Sequence, residues 1–217
     1  MSFKEKKYTL IKEVISKELS NFVYDYFLLK RKVDQKLLKD EIISKYTPCF
    51  GNWNDAQVPN TYSIYADVVM ETLLQRVKPI MEKHTGLKLL ETYSYARLYK
   101  KGDVLARHKD RISCEISTTL NLGGDEWPFY LDPTGKTITD PSTVAIEAGI
   151  KIILKPGDML IYAGCDLEHW REEFKGENCG QLFLHYNIDN EFNRANIYDG
   201  RPFVGLPSLY NTRKKTR

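Results

Sequence analysis

Apolar positions along the 217-residue chain change their period near residue 89. Before it they recur at helical spacing, and after it they alternate. "KYTLIKEVI" reads as a short strand, after which Ser16 is a candidate N-cap. Phe22, Val23, Tyr26 and Phe27 then mark a helix, and Leu37, Leu38, Ile42 and Ile43 mark a second pattern after Asp34. "TPCFGNWNDAQVPN" is a loop by its Gly, Pro, Asn and Asp content. "TYSIYADVVMETLLQRVKPIMEKHTG" predicts a helix with Val69, Leu73 and Val77 on one face, joined by Met70, Leu74 and Met81. Gly86 would cap its C-terminus, Pro79 would kink or divide it, and His84 falls in its last turn as a surface or capping residue.

From Leu89 the period is two. "ETYSYARLYK" places Tyr93, Tyr95, Arg97 and Tyr99 on one strand face and Thr92, Ser94, Ala96 and Leu98 on the other. "ISCEISTTLNL" is a second strand, with Ser117, Thr119 and Asn121 sharing a face. "WPFYLD", "TVAIE", "KIILK", "DMLIYA" and "QLFLHYNI" follow, separated by turns such as Gly123-Gly124-Asp125 and "KPGD". At least seven short strands with no helices between them predict a β-sandwich or barrel rather than a parallel α/β sheet. The expected organisation is a helical layer over residues 1–90, a β core over 91–190, and an irregular extension over 191–217 ending in a basic tail.

Composition changes this picture little. Hydrophobic content of 42% and aromatic content of 12% suffice for a packed core. A net charge of +3 gives no reason to expect a nucleic-acid partner, and the basic run Arg213–Arg217 reads as a solvated tail. Cys49, Cys114, Cys165 and Cys179 form neither a zinc motif nor a disulfide framework. With no signal-peptide pattern and no apolar stretch long enough to span a bilayer, the expectation is a soluble, cytoplasmic protein.

The chemistry concentrates in "YSYARLYKKGDVLARHKDRISCEISTTLNLGGDEW". His108 and Asp110 lie two residues apart on an extended segment, and His169 lies further along in "IYAGCDLEHWREEF". Two His and one carboxylate with open positions form the facial arrangement of non-haem Fe(II) oxygenases. Of four His in the chain, three fall in the β region. His185 shares parity with Gln181 and Phe183 and reads either as a pocket residue or as a buried structural one. Tyr93 and Tyr95 read as core, with pocket wall the alternative, and Trp127 and Trp170 read as packing residues. Arg111 is placed to steer a substrate or brace Asp110.

The segments "RLYKKGDVLARHKD", "STTLNLGGDEWPFY", "LKPGDMLIYAGCDLEHW" and "GQLFLHYN" together resemble the Fe(II)- and 2-oxoglutarate-dependent dioxygenases, in their prolyl-4-hydroxylase-like branch. The likeness covers Tyr93 to Ile188 and includes the order and spacing of three ligands. It implies a mainly β (α+β) fold, a double-stranded β-helix or jelly-roll core flanked by helices in residues 1–86. It implies His108, Asp110 and His169 as catalytic Fe(II) ligands, 2-oxoglutarate and dioxygen as co-substrates, and ascorbate as a candidate reductant. Tyr99, nine residues before His108, matches a co-substrate-binding Tyr; Arg97 faces the same way, and Thr119 matches a polar position near the distal carboxylate.

One departure stands out. The family's usual cation, nine or ten residues after the distal His, is replaced here by Asn178 and Cys179. Arg171, two residues after His169, is the expected substitute, then Arg97, then Lys175; a surface ion pair with the neighbouring Glu172 or Glu173 is the alternative for Arg171. The implied reaction hydroxylates a carbon centre, a peptidyl proline being one candidate, with succinate and CO₂ as by-products. "LDPTGKTITDPSTVAIEAG" is a candidate lid. A nucleobase demethylase of the same superfamily and a non-catalytic jelly-roll binding protein are the alternatives.

Overall fold

The computed structural model describes residues 2–47, 49–135 and 149–211. In chain order it contains α1 (Phe3–Lys6), β1 (Tyr8–Ile11), α2 (Lys17–Lys39), β2 (Tyr62–Tyr65), α3 (Val68–Thr85), β3 (Leu89–Lys100), β4 (Leu105–His108), β5 (Ile116–Gly124), β6 (Phe129–Leu131), β7 (Ile150–Ile152), β8 (Met159–Ala163), β9 (His169–Arg171), β10 (Asn178–Ile188) and α4 (Glu191–Arg194). Antiparallel pairing gives a six-stranded sheet in the order β1-β8-β5-β10-β3-β2 and a four-stranded sheet in the order β4-β9-β6-β7. This is the mainly antiparallel jelly-roll arrangement expected from the alternating segments.

Capping chemistry sets the helix ends. The Ser16 side chain accepts from the Leu19 N–H at the start of α2. Asp67 accepts from the Val69 and Met70 N–H groups at the start of α3, and Gly86 closes it at φ 69°, a conformation glycine takes without a Cβ penalty. Both helices lie on one face of the large sheet. There Val23, Phe27, Leu73, Leu74 and Val77 pack on Ala96, Leu98, Leu120, Leu182 and Leu184. The other face meets the small sheet: Phe129, Leu131 and Ile152 pack on Leu160 and Tyr162, and Leu105 and Trp127 pack on Tyr99 and Phe183.

Three local expectations need correction. Tyr62–Tyr65 is an edge strand paired with β3, not the first turn of α3, because Ala66 takes φ 54° and the Asp67 cap fixes the helix start after it. Leu37 and Leu38 continue α2 rather than starting a new helix, and Ile42 and Ile43 lie beyond its end. Asp34 does not interrupt α2, because its carboxylate is buried and accepts from Trp53 Nε1 at 2.5 Å. Pro79 sits inside an unbroken α3. Residues 1–90 thus supply both edge strands of the large sheet as well as helices α1, α2 and α3. The segment "TVAIE", most of the candidate lid and the basic tail lie outside the described residues. Among the described residues, no helix is long and apolar enough to cross a membrane.

Candidate functional site

β4 and β9 pair so that His108 stands opposite His169, with ring centroids 4.3 Å apart. Asp110 follows the end of β4, and its backbone N–H donates to the Gly164 carbonyl at 2.9 Å. The Asp110 Oδ1 lies 3.7 Å from His108 Nε2 and 3.5 Å from His169 Nε2. One ligand atom from each residue falls within 4.8 Å of the others, and among the described residues this is the one such group of His, Cys, Asp and Glu side chains.

Each imidazole is oriented by its own strand. His108 Nδ1 lies 2.8 Å from the Ala106 carbonyl and His169 Nδ1 lies 3.1 Å from the Leu167 carbonyl. A carbonyl only accepts, so Nδ1 carries a proton in both rings, and Nε2 is the atom that each neutral ring would offer to a metal at the centre. Burial, followed by the neighbouring His169, lowers the pKa of His108. Burial alone would raise Asp110, but the neighbouring His169 and His185 and the Ser117 hydroxyl outweigh it and hold the carboxyl well below the usual range. Two neutral imidazoles and one carboxylate, converging with matched tautomers, fit a divalent transition metal such as Fe(II).

The group opens into a cavity of about 300 Å³. Tyr93, Tyr95, Arg97 and Tyr99 of β3 all line it, so Tyr93 and Tyr95 are wall rather than closed core. Lys109, Arg111, Tyr162, Phe183 and His185 also line it. Arg97 donates to Asp55, to Gln57 Oε1 at 3.1 Å and to the Tyr99 hydroxyl at 3.4 Å. Arg111 forks onto Asp199 through both terminal nitrogens, at 3.1 and 2.8 Å, and lies 4.7 Å from the centre of the Tyr93 ring. Among the described residues its guanidinium bonds Asp199 and Ser113 rather than the Asp110 carboxylate.

Arg171 and Thr119 lie next to the cavity rather than in it. Arg171 is 1% exposed and stands opposite Leu105, a cavity residue. It donates to the Trp127 carbonyl at 2.5 Å, to Thr119 Oγ1 at 3.2 Å and to Gln181 Oε1 at 3.1 Å, and its Nε has no partner among the described residues. Among the described residues no carboxylate pairs with it, whereas Arg97 pairs with Asp55. Burial lowers the pKa of Arg171. The surface ion pair with Glu172 or Glu173 is therefore excluded for Arg171, and it is Lys175 that pairs with Glu173, out in solvent. Asn178 accepts from Arg31 of α2, and Cys179 is buried close enough to Arg171 to feel its charge. Trp127 and Trp170 pack as expected: Trp127 lies against Tyr99 and Phe174, and Trp170 stacks on Tyr130 under Arg107. His84 is exposed in the last turn of α3.

Four participants were not visible in the sequence. Asp55 and Gln57 arrive from the loop before β2, and Gln57 Nε2 lies 3.0 Å from His108 Nε2. Asp199 arrives from the segment after α4. No local pattern announces these three, since each meets the site across more than 40 residues of chain. Ser117 was placed on the right strand face but given no role; its hydroxyl contacts Asp110 Oδ2 at 2.6 Å.

No protein-family model matches the sequence, and no curated protein matches it. Solved structures do. A prolyl-4-hydroxylase of Pseudomonas putida aligns over 87% of this chain and 96% of its own, with a TM-score of 0.60 at 12% identity. HygX of Streptomyces hygroscopicus, with nickel and 2-oxoglutarate bound, aligns over 86% of this chain and 84% of its own, with a TM-score of 0.56 at 13% identity. The viral collagen prolyl hydroxylase vCPH of Paramecium Bursaria Chlorella virus-1, in its 2-oxoglutarate complex, aligns over 86% and 98%, with a TM-score of 0.55 at 11% identity. At these identities the likeness is one of fold. The chain has the jelly-roll fold of the 2-oxoglutarate–Fe(II) oxygenases, with prolyl hydroxylases among its structural neighbours.

Proposed function

We propose that this protein is an Fe(II)- and 2-oxoglutarate-dependent oxygenase that hydroxylates a carbon centre, with a peptidyl proline as the first substrate to try. The observation that carries the reading is the convergence of His108 Nε2, His169 Nε2 and Asp110 Oδ1 beside an aromatic-walled cavity, on the fold of that superfamily. These three residues would hold the metal on one face and leave its other face toward the cavity. Bound there, Fe(II) and 2-oxoglutarate would supply the oxidising chemistry from dioxygen.

The chain's own part is to seat a dicarboxylate. Arg171 is the residue we assign to its far carboxylate, with Thr119 beside it. A fully buried guanidinium with only neutral acceptors is unfavourable until an anion neutralises it. Arg171 shares the inward face of β9 with His169, and its charge reaches the side chain of Cys179. It thereby supplies the cation that the resemblance would place at residue 178 or 179. Tyr99 and Arg97 would line the path between triad and anchor. The cavity wall of Tyr93, Tyr95 and Phe183 is suited to an apolar ring or methylene group presented for hydroxylation.

Two measurements test this. Calorimetric titration of the metal-free protein with Mn(II) should show one site, and Asp110→Ala should weaken it sharply; unchanged affinity in that variant removes the metal assignment. Incubation with Fe(II), ascorbate and 2-oxoglutarate should yield succinate by NMR, faster with the right substrate. No succinate across a broad panel of proline peptides and nucleosides would favour a binding module instead.

A further inference from the structure

The Asp110 carboxylate divides its two oxygens. Oδ1 faces both Nε2 atoms, while Oδ2 turns away onto the Ser117 hydroxyl at 2.6 Å. Ser117 Oγ has two further neighbours, the Cys114 carbonyl at 3.0 Å and His185 Nδ1 at 3.0 Å. A hydroxyl has a single proton to give. Asp110 is anionic, so directing that proton to Cys114 would leave two bare oxygens facing each other at 2.6 Å. The proton therefore lies on the line to Asp110. With its own proton so placed, Ser117 accepts from His185, which fixes His185 as the Nδ1–H tautomer. The chain is His185 Nδ1–H to Ser117 Oγ–H to Asp110 Oδ2.

The surroundings hold this chain in one arrangement. Ser117 is fully buried on β5, and His185 is 6% exposed on β10 with its ring centre 4.6 Å from that of Tyr93. Gly164 closes the remaining side: a Cβ there would come within 2.6 Å of both the Cys114 carbonyl and Ser117 Oγ, and closer still to Asp110. A side chain at residue 164 would displace the carboxylate or the hydroxyl, so this backbone approach needs glycine.

We infer that Ser117, oriented by His185, is the positioning residue that keeps Asp110 a one-oxygen ligand aimed between the two imidazoles. This rests on the metal reading given above. Without the hydroxyl the carboxylate is free to rotate about its Cβ–Cγ bond, and its second oxygen loses its donor. Partners that orient a metal ligand are typically worth about 10- to 100-fold in metal affinity.

The test is Mn(II) calorimetry on four proteins: the unaltered chain, Ser117→Ala, His185→Phe and His185→Asn. Asn places an amide N–H close to where His185 carries Nδ1–H, so it preserves the donor; Phe preserves ring packing and loses the donor. Ser117→Ala should bind Mn(II) about 10- to 100-fold more weakly. His185→Phe should lose affinity in the same direction, and His185→Asn should recover most of it. Thermal unfolding of each metal-free variant reports any purely structural cost. If Ser117→Ala binds Mn(II) as tightly as the unaltered chain, or if Asn and Phe at 185 behave alike, the positioning role is wrong. If the unaltered chain binds no Mn(II), it is the metal reading itself that fails.

Discussion

On β3, Ala96 and Leu98 turn toward the helices, while Tyr95, Arg97 and Tyr99 turn toward the small sheet. On β10, Leu182 and Leu184 turn one way, and Gln181, Phe183 and His185 the other. The same strands thus build two faces under different rules. The helix-side face is mostly hydrocarbon, whose burial favours folding in rough proportion to area, and the charged pair buried on that side, Glu71 with Arg201, is matched by forked hydrogen bonds. The inner face buries Arg97, Arg171, Thr119, Gln181 and His185, and burial of such groups opposes folding unless each finds a partner. Some do not: among the described residues the Nε atoms of Arg97 and Arg171 have none, as Ser94 Oγ has none on the helix side. The outer face serves stability, and the inner face holds polar groups at a cost to stability, as the proposed ligand site requires.

The strongest way to break this comparison is to make the inner face resemble the outer one. Arg171→Met keeps much of the side-chain volume and removes a buried cation that no carboxylate of the described residues pairs with. The metal-free protein should then be as stable as before or more so, as when a buried charge is replaced by a well-packed apolar group. Affinity for 2-oxoglutarate in the presence of Mn(II) should fall by roughly 2–5 kcal/mol, as for one broken buried charge pair. Affinity for Mn(II) itself should hardly move. Isothermal titration and urea unfolding on one preparation decide it. If Arg171→Met binds 2-oxoglutarate normally while Arg97→Met does not, the anchor is Arg97.

The converse holds on the other face. Leu184 is fully buried among the helix-side residues. Leu184→Ala should cost about 2–5 kcal/mol of stability through lost burial and a residual cavity. The surviving folded protein should bind Mn(II) unchanged. A clear loss of metal affinity in that variant would mean that the two faces are mechanically coupled, contrary to the division drawn here.

The two faces also differed in how far the sequence revealed them. Alternation made β3, β5 and β10 readable, because apolar residues recur at every second position: Ala96 and Leu98 on β3, Leu120 and Leu122 on β5, Leu182 and Leu184 on β10. It also put Arg97 with Tyr99, and Ser117 with Thr119, on one side. His108 and His169 stood out because the chain has only four His, and Asp110 because it sits two residues from one of them. The edges were less readable. Tyr62–Tyr65 is only four residues long and runs straight into the α3 cap, so its apolar residues merged with the helical pattern. Asp34 looked like an interruption because its partner, Trp53 in a distant loop, was out of view. Asp55, Gln57 and Asp199 reach the site through tertiary folding alone, which periodicity does not encode.

Protons offer a milder probe. Burial pushes His185 down to about 4 in the folded protein, whereas an exposed imidazole titrates near 6.5. Between those values the unfolded chain binds a proton that the folded chain refuses. Stability therefore falls as pH drops from about 6.5 to 4, by on the order of 3 kcal/mol from this group. His108, also lowered by burial, contributes in the same direction. Asp110 acts in a separate window, since a depressed carboxyl contributes stability that is lost only as pH falls below its unfolded value near 4. Urea unfolding of metal-free protein at pH 7 and pH 4.5 should show the loss, and His185→Asn should flatten the profile. Equal slopes for the two proteins would show that the polar face does not carry this proton linkage.

The smallest expected effect concerns a residue that belongs to neither face. Gln57 comes from the loop before β2, and its amide approaches His108 Nε2 at 3.0 Å while its carbonyl accepts from Arg97. With the His108 proton on Nδ1, the Nε2 lone pair that meets the Gln57 N–H is the one a metal ion would use. The two uses exclude each other, so the amide has to withdraw as the metal enters. A net hydrogen bond of this kind contributes about 1 kcal/mol. Gln57→Ala should therefore tighten Mn(II) binding by up to about fivefold, in contrast to the losses expected from the inner-face variants. Arg97 would keep Asp55 as its counter-ion, so no buried charge is left alone. Calorimetry at constant pH reads the change. If Gln57→Ala binds Mn(II) more weakly, the amide supports the ligand frame, and the boundary of the binding face must be extended to include this loop.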